Sequence, residues 1–135
     1  MQYPEIKGGR ISLRGDEKRT LYSLAEEVLF ESGKAEIKPE AEEDLQQVAS
    51  SLKQRYAQGK IYIYGHTDSE GSAGDNQALS RQRAEAVKQW LVTQGKLEGS
   101  QIVAVPKGEH NPAESNETPE GRQQNRRVDI VAVNQ

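Results

Sequence analysis

Apolar and polar positions alternate most clearly in Lys60–Tyr64, where β-branched and aromatic residues predict a strand. Ile102–Val105 and Val128–Val133 predict two further strands, and Arg10–Leu13 predicts a short strand at a sheet edge. Leu21–Phe30 mixes strand and helix signals, and its last three residues, Val28-Leu29-Phe30, are the most strand-like part. Gly-containing loops separate these segments.

Two segments have the helical period. The first begins with Pro39, which suits a first helical position, and its acidic residues crowd the start of the helix, where the helix dipole favours them. The second runs from about Asn76 to Gln94. Apolar residues at helical spacing predict the buried face of each helix: Ala41, Leu45, Val48, Ala49, Leu52 and Tyr56 in the first, and Leu79, Ala84, Val87, Trp90 and Leu91 in the second.

The order of elements predicts the fold class. Thr118-Pro119-Glu120 adds a short helix, so the order is strand, helix, strand, helix, strand, short helix, strand. This order is typical of an α/β chain folded as an α+β sandwich, with helices packed on a mixed sheet. The 135 residues fit one domain.

Composition excludes several classes of function. The net charge is −3, which gives no support to nucleic-acid binding, and the absence of cysteine excludes disulfides, thiol catalysis and cysteine-based zinc sites. No stretch is apolar enough to span a bilayer, and residues 1–10 do not resemble a signal peptide. We therefore expect any export signal or membrane anchor to lie outside this chain.

One candidate for binding chemistry lies where the Lys60–Tyr64 strand ends. Gly65-His66-Thr67-Asp68 follows it, and ligands of open α/β sheets bind at the carboxyl ends of strands. Asp68 supplies a carboxylate there. An Asp that caps the loop by bonding backbone amides explains the same position about equally well.

A second candidate is Arg83, which lies four residues after Leu79 and four before Val87. This spacing places a cation on the apolar face of the helix, whereas Ser80 and Arg81 are predicted to point elsewhere. Such a charge either pairs with an internal anion, for which Asp68 is a candidate, or recognises a ligand. Together, a carboxylate and a guanidinium suit the ammonium and carboxylate of an amino acid.

Arg122, Arg126 and Arg127 form a third candidate. Arg126 and Arg127 lead into a strand and so point to opposite faces, which lets at most one face inward. Ion pairs with the acidic first helix or with Asp129 are as consistent with the sequence as a ligand contact is. His66 and His110 have no patterned partners, so we predict neither a metal site nor a catalytic triad nor any cofactor.

Taken together, these segments resemble the OmpA-like peptidoglycan-binding domain family. The resemblance covers Val28 to Val133, and its motifs occur in the family's order: Leu29-Phe30-Glu31-Ser32-Gly33, Lys38-Pro39-Glu40-Ala41, Gly65-His66-Thr67-Asp68, Asn76 to Ala84, Gly108 to Pro112, and Asn125-Arg126-Arg127-Val128. It divides the chain into a lead-in, residues 1–27, with an extra edge strand, and an OmpA-like domain, residues 28–135.

The resemblance implies a βαβαβ fold that binds the diaminopimelate of the peptidoglycan stem peptide and cleaves no bond. It assigns the ligand's ammonium to Asp68 and its carboxylate to Arg83. It also implies further ligand contacts from the pocket wall: Phe30, Gly33, Thr67, Asn76, Leu79 and Arg127. Departures from the family pattern at Glu31 and Asp75 affect only the rim of this pocket.

The family also implies a place in the cell. We expect a chain on the periplasmic face of a Gram-negative envelope, attached to a membrane only through segments outside this chain. Its expected partners are peptidoglycan and envelope proteins. The alternative is a protein-docking module of an envelope machine, such as a flagellar stator or a type VI secretion anchor, with weak or no peptidoglycan binding.

Overall fold

The computed structural model describes residues 3–16, 18–31, 33–66, 73–108 and 126–134, with the side chains of 73–75 and 106–108 left undescribed. Five strands form one sheet in the order β1-β2-β5-β3-β4. Only β3 and β4 pair in parallel, so the sheet is mixed, as predicted. The strands are β1 (Ile11–Gly15), β2 (Arg19–Ala25), β3 (Lys60–His66), β4 (Ile102–Gly108) and β5 (Arg127–Val133).

In the part of the chain that the structure describes, three α-helical segments accompany the sheet: α1 (Glu26–Leu29), α2 (Glu42–Arg55) and α3 (Ala73–Thr93). A 3₁₀ turn, Pro39–Ala41, leads into α2, and another, Gly99–Gln101, leads into β4. Every residue of the apolar stripe predicted for α2 is buried. In α3, Ala84, Val87 and Leu91 are buried, whereas Leu79 and Trp90 are only partly buried. The helical period therefore located both core-facing surfaces.

The prediction that Val28-Leu29-Phe30 is strand-like is wrong. The strand of this segment is β2, and the chain then makes one helical turn, closed by the Phe30 amide donating to the Glu26 carbonyl over 2.8 Å. Leu29 and Phe30 are nevertheless buried. A short apolar run has the same composition in a buried turn as in a buried strand, so the sequence pattern does not separate the two.

The two strands before position 27, β1 and β2, belong to the same sheet. β1 is an edge strand, close to where the sequence predicted one, and β2 pairs with β5 along its whole length. The segment ahead of β1 is held against the fold by an ion pair, in which Arg55 Nε lies 2.7 Å from Glu5 Oε2. Tyr3 adds to this attachment, since its ring lies 3.5 Å from the Arg55 guanidinium carbon.

Candidate functional site

The junction between β3 and α3 positions the candidate site. Gly65, near the end of β3, lies against the backbone of Ser80 in α3, and a Cβ at position 65 would lie only 2.3 Å from the Ser80 carbonyl oxygen. Ser80 is fully buried, so the prediction that it points away from the apolar face is wrong. Because residue 65 is glycine, the strand packs directly against the Ser80 side of α3. Ser80 lies one helical turn before Arg83.

Arg83 is buried, with 2% of its surface exposed, and its guanidinium is fixed from several sides. Nε donates to the Lys34 carbonyl oxygen over 2.9 Å. Nη2 lies 2.5 Å from Glu26 Oε1, a charge contact that lacks the alignment of a hydrogen bond. The guanidinium carbon lies 5.1 Å from the centre of the Phe30 ring. Phe30 and Lys34, on either side of the predicted contact Gly33, therefore hold the predicted cation together with Glu26.

Glu26 joins Arg83 to the start of β5. Its second carboxylate oxygen, Oε2, lies 3.0 Å from Arg126 Nε, and its amide donates to the Arg126 carbonyl over 2.9 Å. The Glu26 side chain is 16% exposed. One carboxylate thus lies between two guanidinium groups, and the internal ion pair considered for Arg83 exists with Glu26 as the anion.

A second cluster surrounds Asp129 on β5. Its Oδ2 lies 3.3 Å from His66 Nε2 and 3.1 Å from Arg127 Nε, and its Oδ1 accepts a 2.7 Å hydrogen bond from the Ser23 hydroxyl. Burial raises the pKa of the Asp129 carboxyl, but the hydrogen bonds from His66 and Ser23 and the charge of Arg127 outweigh burial, so the pKa lies below its ordinary value. Arg127 therefore forms the ion pair with Asp129 that was one of the alternatives predicted for the three arginines.

Four more of the predicted site residues lie within the described part of the chain. Phe30 is buried beneath Arg83, and Gly33 has a positive φ of 73° that favours glycine. Asn76 and Leu79 are half-buried on α3. Thr67 and Asp68 lie outside the described residues, as do the predicted short helix Thr118–Glu120, Arg122 and His110.

The arrangement around Arg83 is chemically suited to holding an anion. A buried guanidinium offers donors in a fixed plane, which matches a carboxylate, and low polarity around it strengthens the contact. Within the part of the chain that the structure describes, no cluster of His, Asp or Glu side chains is suited to a metal ion. Over the same residues, no helix is both long and apolar enough to cross a membrane.

Two grooves lie away from Arg83. One, of about 340 Å³, is polar and lies beside the start of β3, next to Lys60 and Gln101. The other, of about 450 Å³, lies between the segment ahead of β1 and β1 itself, next to Tyr3 and Leu13. Neither groove is lined by a buried charged side chain, so neither competes with Arg83 as a site for a charged ligand.

Sequence reasoning missed Glu26 and the His66–Asp129 contact. Glu26 and Glu27 are adjacent and identical in type, and the mixed pattern of Leu21–Phe30 did not show which of them faces inward. His66 was considered only as a metal ligand or a catalytic base. The pairing of β3 with β5 brings these residues together. His66 lies directly opposite Arg127, which is two residues before Asp129 on β5.

Comparison with known proteins finds a family match over most of the chain. The model of the OmpA family matches residues 29–126. A probable lipoprotein of Escherichia coli K12, YiaD, is 36% identical over 127 residues, which are 94% of this chain and 57% of that protein. The peptidoglycan-binding protein ArfA of Mycobacterium tuberculosis is 43% identical over 104 residues, which are 77% of this chain and 31% of that protein. The chain therefore spans only part of the length of these relatives.

A solved structure resembles nearly the whole chain. The cell wall anchor of the type VI secretion system from Pseudomonas aeruginosa superimposes with a TM-score of 0.83 at 25% identity. The match covers 93% of this chain and 89% of that one. It extends beyond the matched family region, so the strands ahead of residue 29 lie within the shared architecture.

Proposed function

The chain belongs to the OmpA family, and from this premise we propose that it binds peptidoglycan non-covalently and anchors an envelope protein to the cell wall. The observation that carries the proposal is Arg83, a buried guanidinium on α3 that is held by Lys34 and Glu26, three residues after the contact between Ser80 and Gly65. The 43% identity to a protein named for peptidoglycan binding supports it. Binding of this kind breaks no bond, and we propose no catalytic role.

We propose diaminopimelate in the stem peptide as the group recognised. Its free end carries an ammonium and a carboxylate on one carbon. Arg83 binds the carboxylate through its planar donors, and Asp68 binds the ammonium. Phe30 and Gly33 shape the loop beneath the ligand, Thr67, Asn76 and Leu79 line its sides, and Arg127 closes one edge.

The proposed location follows from the ligand. A chain that binds stem peptides works where the cell wall is, on the periplasmic face of a Gram-negative envelope. Envelope proteins are the proposed partners. The E. coli relative is named as a probable lipoprotein, which supports an envelope setting.

Retention on purified peptidoglycan tests the proposal. We expect wild-type protein to co-sediment with sacculi, and Asp68→Ala and Arg83→Ala each to abolish co-sedimentation. Arg81→Ala is the matched control, because Arg81 is exposed on the same helix and its loss removes the same charge. Circular dichroism of each variant establishes that the fold remains. Unchanged retention of folded Arg83→Ala and Asp68→Ala would contradict the proposal.

A further inference from the structure

Glu26 has the geometry of a group that holds a binding residue in place. Its carboxylate is largely buried and uses one oxygen for Arg83 and the other for Arg126. Its backbone amide is bonded to the Arg126 carbonyl, so the carboxylate is attached to the start of β5 by two routes. Because these contacts hold the Glu26 carboxylate in one place, its contact with Arg83 limits the orientation of the Arg83 guanidinium.

Two residues hold the Arg83 guanidinium at different nitrogens. The Lys34 carbonyl accepts a hydrogen bond from Nε, and Glu26 Oε1 lies beside Nη2 without the alignment of a hydrogen bond. Glu26 therefore holds Nη2 by charge, whereas Lys34 holds Nε by a hydrogen bond. Without Glu26, only the Lys34 carbonyl and the Phe30 ring would orient the group, and a single hydrogen bond lets a guanidinium rotate about the Nε–H direction.

We propose that Glu26 is a positioning residue for peptidoglycan binding, which orients the Arg83 guanidinium. This inference rests on the proposed function of Arg83. Glu26 also supplies the counter-charge that allows the Arg83 guanidinium to stay buried before a ligand binds, because a buried ion needs a partner of opposite charge.

A competing role for Glu26 predicts that its removal increases the affinity for the ligand instead of lowering it. If Glu26 instead occupied the place of the ligand carboxylate, its removal would free Arg83 and tighten binding. Glu26→Gln separates the two roles, because glutamine keeps the shape and removes the charge. Glu27→Gln is the matched control, since Glu27 is the adjacent glutamate and its side chain is exposed.

Two measurements on the same protein samples test this inference. The first is the dissociation constant for a diaminopimelate stem peptide. We expect Glu26→Gln to weaken binding about 10- to 100-fold, the usual effect of losing a group that orients a ligating residue, and Glu27→Gln to leave it unchanged. Unchanged or tighter binding by folded Glu26→Gln would overturn the positioning role.

The second measurement needs no ligand. In the NMR spectrum of the free protein, the Nε–H signal of Arg83 is expected to be sharp in wild type and in Glu27→Gln, and to shift and exchange faster with water in Glu26→Gln. An unmoved Arg83 signal would overturn the inference. If wild type shows the ordered signal but binds no stem peptide, the proposed function fails while Glu26 still positions Arg83.

Glu26→Asp covers the case in which Glu26→Gln does not fold. Aspartate keeps the charge and shortens the reach by one methylene. We expect the Arg83 Nε–H signal to shift and binding to weaken less than tenfold. The carboxylate charge remains, and only its position relative to the Arg83 guanidinium changes. Wild-type affinity together with an unchanged Arg83 signal in this variant would also overturn the inference.

Discussion

The α-carbon of Gly65 lies against the carbonyl group of Ser80, so that β3 and α3 touch through backbone atoms rather than through side chains. A Cβ at position 65 would lie 2.3 Å from that oxygen and 3.2 Å from the Ser80 α-carbon. This contact fixes the distance between the end of the strand and the helix that carries Arg83. The strand end and the helix that carries Arg83 can therefore pack this closely because residue 65 is glycine.

Gly65→Ala tests the contact. The added methyl group meets backbone atoms that have no room to move, so we expect a loss of stability of about 1–3 kcal/mol, as for overpacked cores. Urea unfolding followed by circular dichroism measures it. Gly99→Ala is the control, because a Cβ there meets only the Val92 side chain at 3.8 Å. Equal stabilities for the two variants would contradict the close packing.

Glu5 gives a prediction for acid stability. The hydrogen bond from Arg55, opposed by partial burial, lowers the Glu5 pKa from 4.5 to about 2. A carboxyl whose pKa is lower in the folded state stabilises the fold above its unfolded pKa, and this contribution is lost as pH falls through the folded pKa. We expect Glu5→Gln to be less stable than wild type at pH 7 by about 1 kcal/mol or less, since Arg55 is partly exposed.

The difference between wild type and Glu5→Gln should then shrink between about pH 4.5 and pH 2, as the wild-type carboxyl becomes protonated. Thermal unfolding at a series of pH values measures this change. Glu36→Gln is the control, because Glu36 is exposed, and it should follow the wild-type curve. A difference that stays constant over this pH range would contradict the assignment of the Glu5–Arg55 pair.

Asp129 is expected to matter more to stability than any single neutral hydrogen bond nearby. Asp129→Asn leaves Arg127 and His66 without the carboxylate that both contact, and removing one partner of a buried ion pair costs about 3–5 kcal/mol. Ser23→Ala removes only the neutral donor to the same carboxylate, for about 1 kcal/mol. Chemical denaturation of both variants compares these values, and equal losses would show that the charge contacts add nothing.

Much of the fold followed from the sequence because its signals are local. The alternation in Lys60–Tyr64 and the helical stripe from Ala41 to Tyr56 each depend on neighbours within a few residues, and both elements formed as predicted. The turn at Glu26–Leu29 was missed because its apolar residues serve a buried turn as well as they serve a strand. Ser80 was assigned to the wrong side because its burial depends on Gly65, a long-range contact.

In the candidate site, too, the sequence predicted the residue with a local signal and missed the one that depends on long-range packing. Arg83 could be singled out because helical spacing placed a charge among apolar residues, and its burial confirms that placement. The partner of Arg83 could not be found, since Glu26 is brought to it by the packing of α3 on the sheet and no local pattern distinguishes it from Glu27. Asp68 remains a prediction, because it lies outside the described residues.

Calorimetric titration with two stem peptides tests the central claim most directly. One peptide carries diaminopimelate, and the other carries lysine, which keeps the ammonium and lacks the neighbouring carboxylate that Arg83 is proposed to bind. We predict that wild type binds the diaminopimelate peptide at least about tenfold more tightly, and that Arg83→Ala removes this preference. No heat with the diaminopimelate peptide, or equal affinity for both peptides, would contradict the account and favour a protein-docking module.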